Sequence, residues 1–327
     1  MMVKMLVQTL IAMAVFQMFP YDAGVMERHA VLPDAASRVS PGLSETLELS
    51  QKTLPPAPDA ARQPVKVQKT SMGVVTSAVS ALVIDRVTGS VLFEKNSGVS
   101  RSIGSMTKLM TAYVFLQSDP DLQAPAEIQP SDVRLGGVQH LRAGDQVTVR
   151  DLLYASLVGS DNSATAALAR LSGLSPGDFV ARMNEVAADI GMRNTTFVDP
   201  AGLSPDNRSV ATDLVRLLDQ TMKDEVIRAA TELPVASVTS VSGKTYRIEN
   251  TNDLLHSFLN QPPFQMTGGK TGFLPEAGYC FGAVIAEHGA HEITVVVLGS
   301  DSEHGRFQDA KALAAWAYKA YDWPDEI

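Results

Sequence analysis

Cysteine is almost absent: Cys280 is the one thiol in 327 residues, so no internal disulfide can form and a zinc ribbon is excluded. It lies in an apolar run, where a small buried thiol is expected. Histidine offers no metal site either. His29, His140, His256, His288, His291 and His304 show no metal spacing joined to a carboxylate pattern, so surface or structural roles are expected. Lys and Arg number 27 against 36 Asp and Glu, a net charge of −9. That balance argues against a binder of nucleic acid, whose affinity rests on clustered Lys and Arg. No internal repeat is found. With 45% hydrophobic and 19% charged residues the chain is neither disordered as a whole nor collagen-like. Its length fits one large domain of roughly 250 residues with flanking segments, or two smaller ones.

Met1 to Lys4 is a short basic start, and Met5 to Phe19 is an apolar stretch broken only by Gln8, Thr9 and Gln17, the pattern of an export signal. The stretch falls short of the roughly 20 residues of a comfortable membrane span, which favours removal over anchoring. Ala23 is the candidate last residue removed, but bulky Tyr21 two positions earlier keeps an uncleaved anchor open. The chain is therefore expected in the periplasm or cell envelope, touching the inner membrane only through residues 1–23 if they are retained. Residues 24–75 are rich in Pro, Ala and Ser and are expected to form a flexible tether. From Pro20 to Val75 six acidic and six basic residues cancel, so all of the net negative charge falls in the folded domain, 76–327.

Residues 78–95 alternate apolar and polar around Arg86-Val87-Thr88-Gly89, which predicts a β-hairpin. Helices are predicted from Ser105 to Gln117, from the Thr148/Asp151 capping box to Val158, from a Ser160 or Asp161 cap to Leu171, from Pro176 to Ile190 and from Thr212 to Met222. Strands return at 245–249, 279–286 and 292–298, the last two joined around Gly289, and a helix over 306–321 closes the chain. Strands at both ends with helices between imply an α+β domain: one sheet from distant segments, flanked by an α-rich lobe.

Three short motifs carry candidate chemistry. The helix at Ser105 is apolar almost all round, through Met106, Leu109, Met110, Tyr113, Val114, Phe115 and Leu116, and so is expected to be buried. Lys108 then stands out, because a buried ammonium tends to shed its proton. Ser105 lies three residues earlier on the same face, within reach of a desolvated lysine that can act as its base. After Gly104 it also sits at a helix N-terminus, where free N–H groups favour an oxyanion. A Ser cap with a snorkelling Lys explains the same tetrapeptide. Ser160-Asp161-Asn162 reads either as a helix cap or as a hydroxyl that passes a proton beside an amide that orients a peptide. Gly268-Gly269-Lys270-Thr271-Gly272 is not a phosphate loop, since Phe264 occupies the position of its first Gly. It is either the plain glycine-rich start of a strand or a charge and a hydroxyl for a carboxylate.

In this order the three motifs form the set found in penicillin-binding proteins and class A β-lactamases. Residues 76–321 resemble the low-molecular-mass penicillin-binding proteins, the serine D-alanyl-D-alanine carboxypeptidases and endopeptidases of peptidase family S11. Leu141-Arg142-Ala143-Gly144-Asp145, Phe197-Val198-Asp199-Pro200-Ala201-Gly202-Leu203 and Glu276-Ala277-Gly278-Tyr279-Cys280 match as well. The resemblance implies a β-lactamase/transpeptidase-like fold with an antiparallel sheet, peptidoglycan stem peptides as substrate, β-lactams as acylating inhibitors, and no metal or cofactor. It makes Ser105 the nucleophile, Lys108 its base, Ser160 the proton relay and Asn162 the orienting amide. Lys270 and Thr271 would hold the substrate carboxylate, with Arg306 as a further candidate, and the N–H groups of Ser105 and Phe273, beside Gly272, would form the oxyanion hole. A β-lactamase is the alternative activity, but Arg193 to Ser209 contains no Glu to drive deacylation. A non-catalytic cell-wall module is the other.

Overall fold

Apolar runs from the two ends of the chain build one sheet, and their alternation feeds two cores. In strand β1 (Ser80–Asp85) Leu82 and Ile84 join one hydrophobic cluster, while Ala81 and Val83 join the other. The strand period of two sends neighbours to opposite faces, so a run that is apolar throughout needs cover on both. β2 (Val91–Lys95), β3 (Phe264–Leu274), β4 (Gly278–Glu287) and β5 (His291–Ser300) complete an antiparallel sheet of order β3-β4-β5-β1-β2. The β4–β5 turn has His288 and Gly289 at φ 52° and 73°, the left-handed pair of a tight hairpin. This computed structural model describes residues 63–137 and 139–324. The expected export signal and the tether up to residue 62 lie outside the described residues.

Among the described residues six helices, α1 (Thr107–Leu116), α2 (Val149–Leu157), α3 (Asn162–Leu171), α4 (Pro176–Asp189), α5 (Ala211–Thr221) and α6 (Glu225–Glu232), lie between β2 and β3, and α7 (Glu303–Ala320) follows the sheet. The first cluster lies between the sheet and the α-rich lobe; the second lies under α7, through Phe307, Ala310, Leu313, Ala314 and Ala317. The predicted capping box holds: Thr148 Oγ1 accepts from Asp151 N at 3.1 Å and Asp151 Oδ2 from Thr148 N at 3.0 Å. α7 begins three residues before Arg306, because Ser302 caps it by accepting from Gly305 N. The predicted strand over 245–249 is found, paired with an unpredicted strand over 235–239, and helix α6 was not anticipated either.

Residues 63–75 differ from the expected tether. Val65–Lys66 pairs with Tyr321–Asp322, Trp316 Nε1 donates to Ser71 Oγ at 2.7 Å, and Lys66 Nζ stands 5.3 Å from the Trp316 ring centroid. The strongly Pro-rich run ends before this segment, which gains backbone partners and covers aromatic rings.

Helix α1 is buried along most of its surface, with Tyr113 and Leu116 half-buried. Leu109, Met110, Val114 and Phe115 are each at most 5% exposed, and such burial contributes roughly 1.5–3 kcal/mol per side chain. Together they outweigh the cost of enclosing one lysine amine in the same helix, of order 5 kcal/mol for a drop of its pKa from 10.5 to about 7.

Candidate active site

Lys108 is wholly buried, and its amine meets three oxygens: Ser105 Oγ at 2.9 Å, Asn162 Oδ1 at 2.7 Å and the Ala201 carbonyl at 2.5 Å. Burial lowers its pKa to about 7, against the pull of Asp199 and Asp161, which raise it. A neutral amine has two hydrogens and one electron pair. The two carbonyl-type oxygens can only accept, so they take the hydrogens and leave the pair for the Ser105 hydroxyl. That is the arrangement of a base on a nucleophile.

Ser105 stands in a short 3-10 turn, Gly104–Met106, that runs into α1. Two glycines let three backbone segments close around it. Gly104 has φ +53°, and a Cβ there would stand 2.7 Å from the Phe273 amide nitrogen; Gly202 has φ +80°, and a Cβ there would stand 2.1 Å from the Gly104 oxygen. Phe273 is thereby held against the turn, with its ring stacked on Tyr279 at 4.5 Å.

The Ser160-Asp161-Asn162 segment divides its work. Asp161 caps α3 through Ser163 N and Ala164 N, and its other oxygen accepts from His140 N at 2.7 Å and Leu141 N at 3.0 Å. Four backbone donors leave it a brace rather than a proton carrier. Ser160, held at φ +58°, a strained setting for a non-glycine residue, accepts from Lys270 Nζ at 3.0 Å. Asn162 gives its amide oxygen to Lys108 and donates from Nδ2 to Gly136 O at 2.7 Å. The sequence suggested a role toward substrate; the structure adds that this amide holds the base.

Lys270 lies inside β3, not before it, paired with Gly282 of β4. Burial, and then the charges of Lys108 and Arg306, push its pKa well below the usual lysine value. Thr271 Oγ1 lies 2.7 Å from Thr251 Oγ1. Arg306 reaches the same place from α7: it is 4% exposed, and Nη1 is 3.4 Å from Gly272 O. The structure thus gathers Ser105, Ser160, Asn162, Thr271, Gly272, Phe273 and Arg306 around one cleft of about 380 Å³, with Lys108 and Lys270 in its floor and wall.

Sequence reasoning missed Thr251, Asp253 and Glu303, which also line the cleft, and the Ala201 carbonyl. The signal for Ala201 was present in Asp199-Pro200-Ala201-Gly202. Asp199 accepts from Ala201 N, Gly202 N, Leu203 N, Ser204 N and Asn207 Nδ2, a knot that fixes the loop. Cys280 is buried, with its thiol pushed up to about 11 by that burial. Among the described residues no group of His, Cys, Asp or Glu is placed to hold a metal ion.

Comparison with known proteins agrees with this geometry. The profile of the peptidase S11 family, D-alanyl-D-alanine carboxypeptidase, matches residues 66–302, a span that contains all three motifs. A D-alanyl-D-alanine endopeptidase of Pseudomonas aeruginosa is 35% identical over 240 residues, 72% of this chain and 76% of that protein. The Streptomyces K15 DD-transpeptidase superposes with a TM-score of 0.70 at 30% identity, over 76% of this chain and 100% of that one. Penicillin-binding protein D2 of Listeria monocytogenes, in its cefotaxime-bound form, gives 0.65 at 30% identity, over 75% and 99%. A profile match over most of the chain, a shared fold and a lysine-braced serine in its cleft lead to one assignment: this chain belongs to peptidase family S11, the D-alanyl-D-alanine carboxypeptidases.

Proposed function

We propose that the protein is a serine D-alanyl-D-alanine peptidase that cleaves peptidoglycan stem peptides, at a terminal D-alanine or at a D-alanyl cross-link, through an acyl-enzyme on Ser105. The observation that carries this is the set of three oxygens around Lys108, which leaves a neutral amine one direction in which to act as a base. Ser105 Oγ attacks the D-alanyl carbonyl carbon as its proton passes to Lys108 Nζ. The N–H groups of Ser105 and Phe273 receive the developing oxyanion. Ser160 gives its hydroxyl proton to the leaving nitrogen and takes a replacement from Lys270 Nζ, from which its oxygen already accepts. Water then hydrolyses the acyl-enzyme, returning a proton to Lys270 through Ser160, while Lys108 returns its own to Ser105 Oγ. Thr271 and Arg306 take the substrate carboxylate; Lys270, expected there with Thr271, donates to Ser160 Oγ instead.

β-Lactams acylate the same serine, and the adduct is expected to be long-lived. The loop that would need a water-activating glutamate, Arg193 to Ser209, has only Asp199 and Asp206 as carboxylates. Asp199 is consumed by five donors, and Asp206 is exposed. The basic start and apolar stretch of residues 1–19 support export to the periplasm or cell envelope, with a membrane anchor if they are retained. The test is intact mass after labelled penicillin, with one adduct expected on the wild type and none on Ser105→Ala. An unchanged adduct on the variant refutes the nucleophile. Digestion of purified peptidoglycan then identifies the bond: released D-alanine marks the terminal cut, and loss of dimers marks the cross-link cut.

A further inference from the structure

The rim of the cleft carries an ion pair that no step above uses. Arg306 is pinned by its surroundings, with its guanidinium 4.7 Å from the Phe307 ring centroid and 5.6 Å from that of Tyr279. Its donors are under-employed. Nη1 reaches Gly272 O only at 3.4 Å, beyond the usual range, and Nε is buried without a partner. Among the described residues the carboxylate in contact with it is that of Glu303, one helical turn earlier, with Oε1 3.3 Å from Nη2. The Glu303 side chain is 66% exposed and lines the cleft, as does Asp253.

We propose that Glu303 is a specificity-determining residue: it occupies Arg306 in the free protein and competes there with the carboxylate of an incoming peptide. The kind of peptide rests on the DD-peptidase reading; the competition rests on the ion pair alone. A guanidinium prefers a two-pronged carboxylate. Glu303 supplies a single contact from a side chain largely in solvent, a weak and displaceable partner. An arriving carboxylate must expel Glu303 or share Arg306 with it, and Asp253 adds a second negative charge at the same rim. A peptide with no charge at that end meets neither obstacle. Glu303 therefore narrows the preference of the site for free C-terminal carboxylates over uncharged C-termini.

Peptide binding to Ser105→Ala, which removes the nucleophile, tests this by NMR titration. The probes are an N-acetylated peptide ending in D-alanyl-D-alanine and its C-terminal amide. Glu303→Gln is expected to tighten the carboxylate peptide roughly two- to fivefold and to leave the amide unchanged. On an Arg306→Ala background the same substitution is expected to change neither. Glu303→Ala repeats the test without the Gln amide, and the position is exposed enough for either variant to fold. Equal effects on both peptides, no effect on the carboxylate peptide, or an effect that survives loss of Arg306 overturns the proposal. Penicillin labelling of the wild type keeps the two readings apart. An adduct without any Glu303 effect refutes the competition alone, and a Glu303 effect without an adduct refutes the peptidase reading alone.

Discussion

Acylation is expected to follow the neutral fraction of Lys108. With its pKa at about 7, that fraction is roughly one-eleventh at pH 6, one half at pH 7 and ten-elevenths at pH 8. The second-order rate of labelling by a fluorescent penicillin, measured over this range on protein of constant fold, is expected to rise about tenfold and then level off. Stability has a sign fixed by the same group. In the unfolded chain the amine returns to 10.5, so between pH 7 and 10.5 the unfolded state binds more protons and stability rises with pH. Below pH 7 both states hold the proton, and the full burial cost of roughly 5 kcal/mol is present. Relative to Lys108→Met, the wild type is thus expected to gain about 1.4 kcal/mol between pH 6 and 8 by denaturant unfolding. A labelling rate that is flat or falls across this range, or a midpoint near that of a free lysine, would refute the neutral-amine base.

Lys108→Arg is expected to abolish labelling, because guanidinium stays protonated; a labelled Lys108→Arg protein contradicts the assignment. Asp199→Asn removes the charge that most raises the Lys108 pKa, so the labelling midpoint is expected to move to lower pH. One mismatched donor in that knot costs about 1–3 kcal/mol as well, and an upward shift of the midpoint argues against the electrostatic account. Gly202→Ala sets a methyl group against the Gly104 oxygen at a left-handed φ. Thermal unfolding is expected to show a loss of at least about 2 kcal/mol together with slowed labelling, and unchanged values of both would show that the loop is not packed as described.

Much of the site was legible because its chemistry is local. An apolar face all round α1 implied a buried Lys108, and a spacing of three implied its contact with Ser105; both are found. The sheet was legible through its apolar runs and the turns at Gly89 and Gly289, and the Thr148 box through its two residue types. The strand around Lys270 was harder, since Gly268, Gly269 and Gly272 lower strand propensity and hide the period of two. Arg306 was placed at a helix start, whereas Ser302 supplies the cap and a further turn, and that turn holds Glu303. Asp161 looked like half of a functional triplet; only tertiary partners 20 and 21 residues away, Leu141 N and His140 N, reveal it as a brace. The Ala201 carbonyl is not marked by its own residue type, because every residue has a carbonyl; the turn-forming Asp199 before it was the one signal, and the knot it makes aims this carbonyl.

The cradle of Lys108 fits both of its charge states. As an ammonium it has one hydrogen for each of Ser105 Oγ, Asn162 Oδ1 and Ala201 O; as an amine it keeps the two carbonyl-type contacts and turns its electron pair toward the serine. No partner has to leave when the proton arrives or departs. The pocket can therefore act as a reversible proton store across both halves of a turnover, and the solvent rearrangement that accompanies such transfers in bulk water is completed when the chain folds, before any peptide is met.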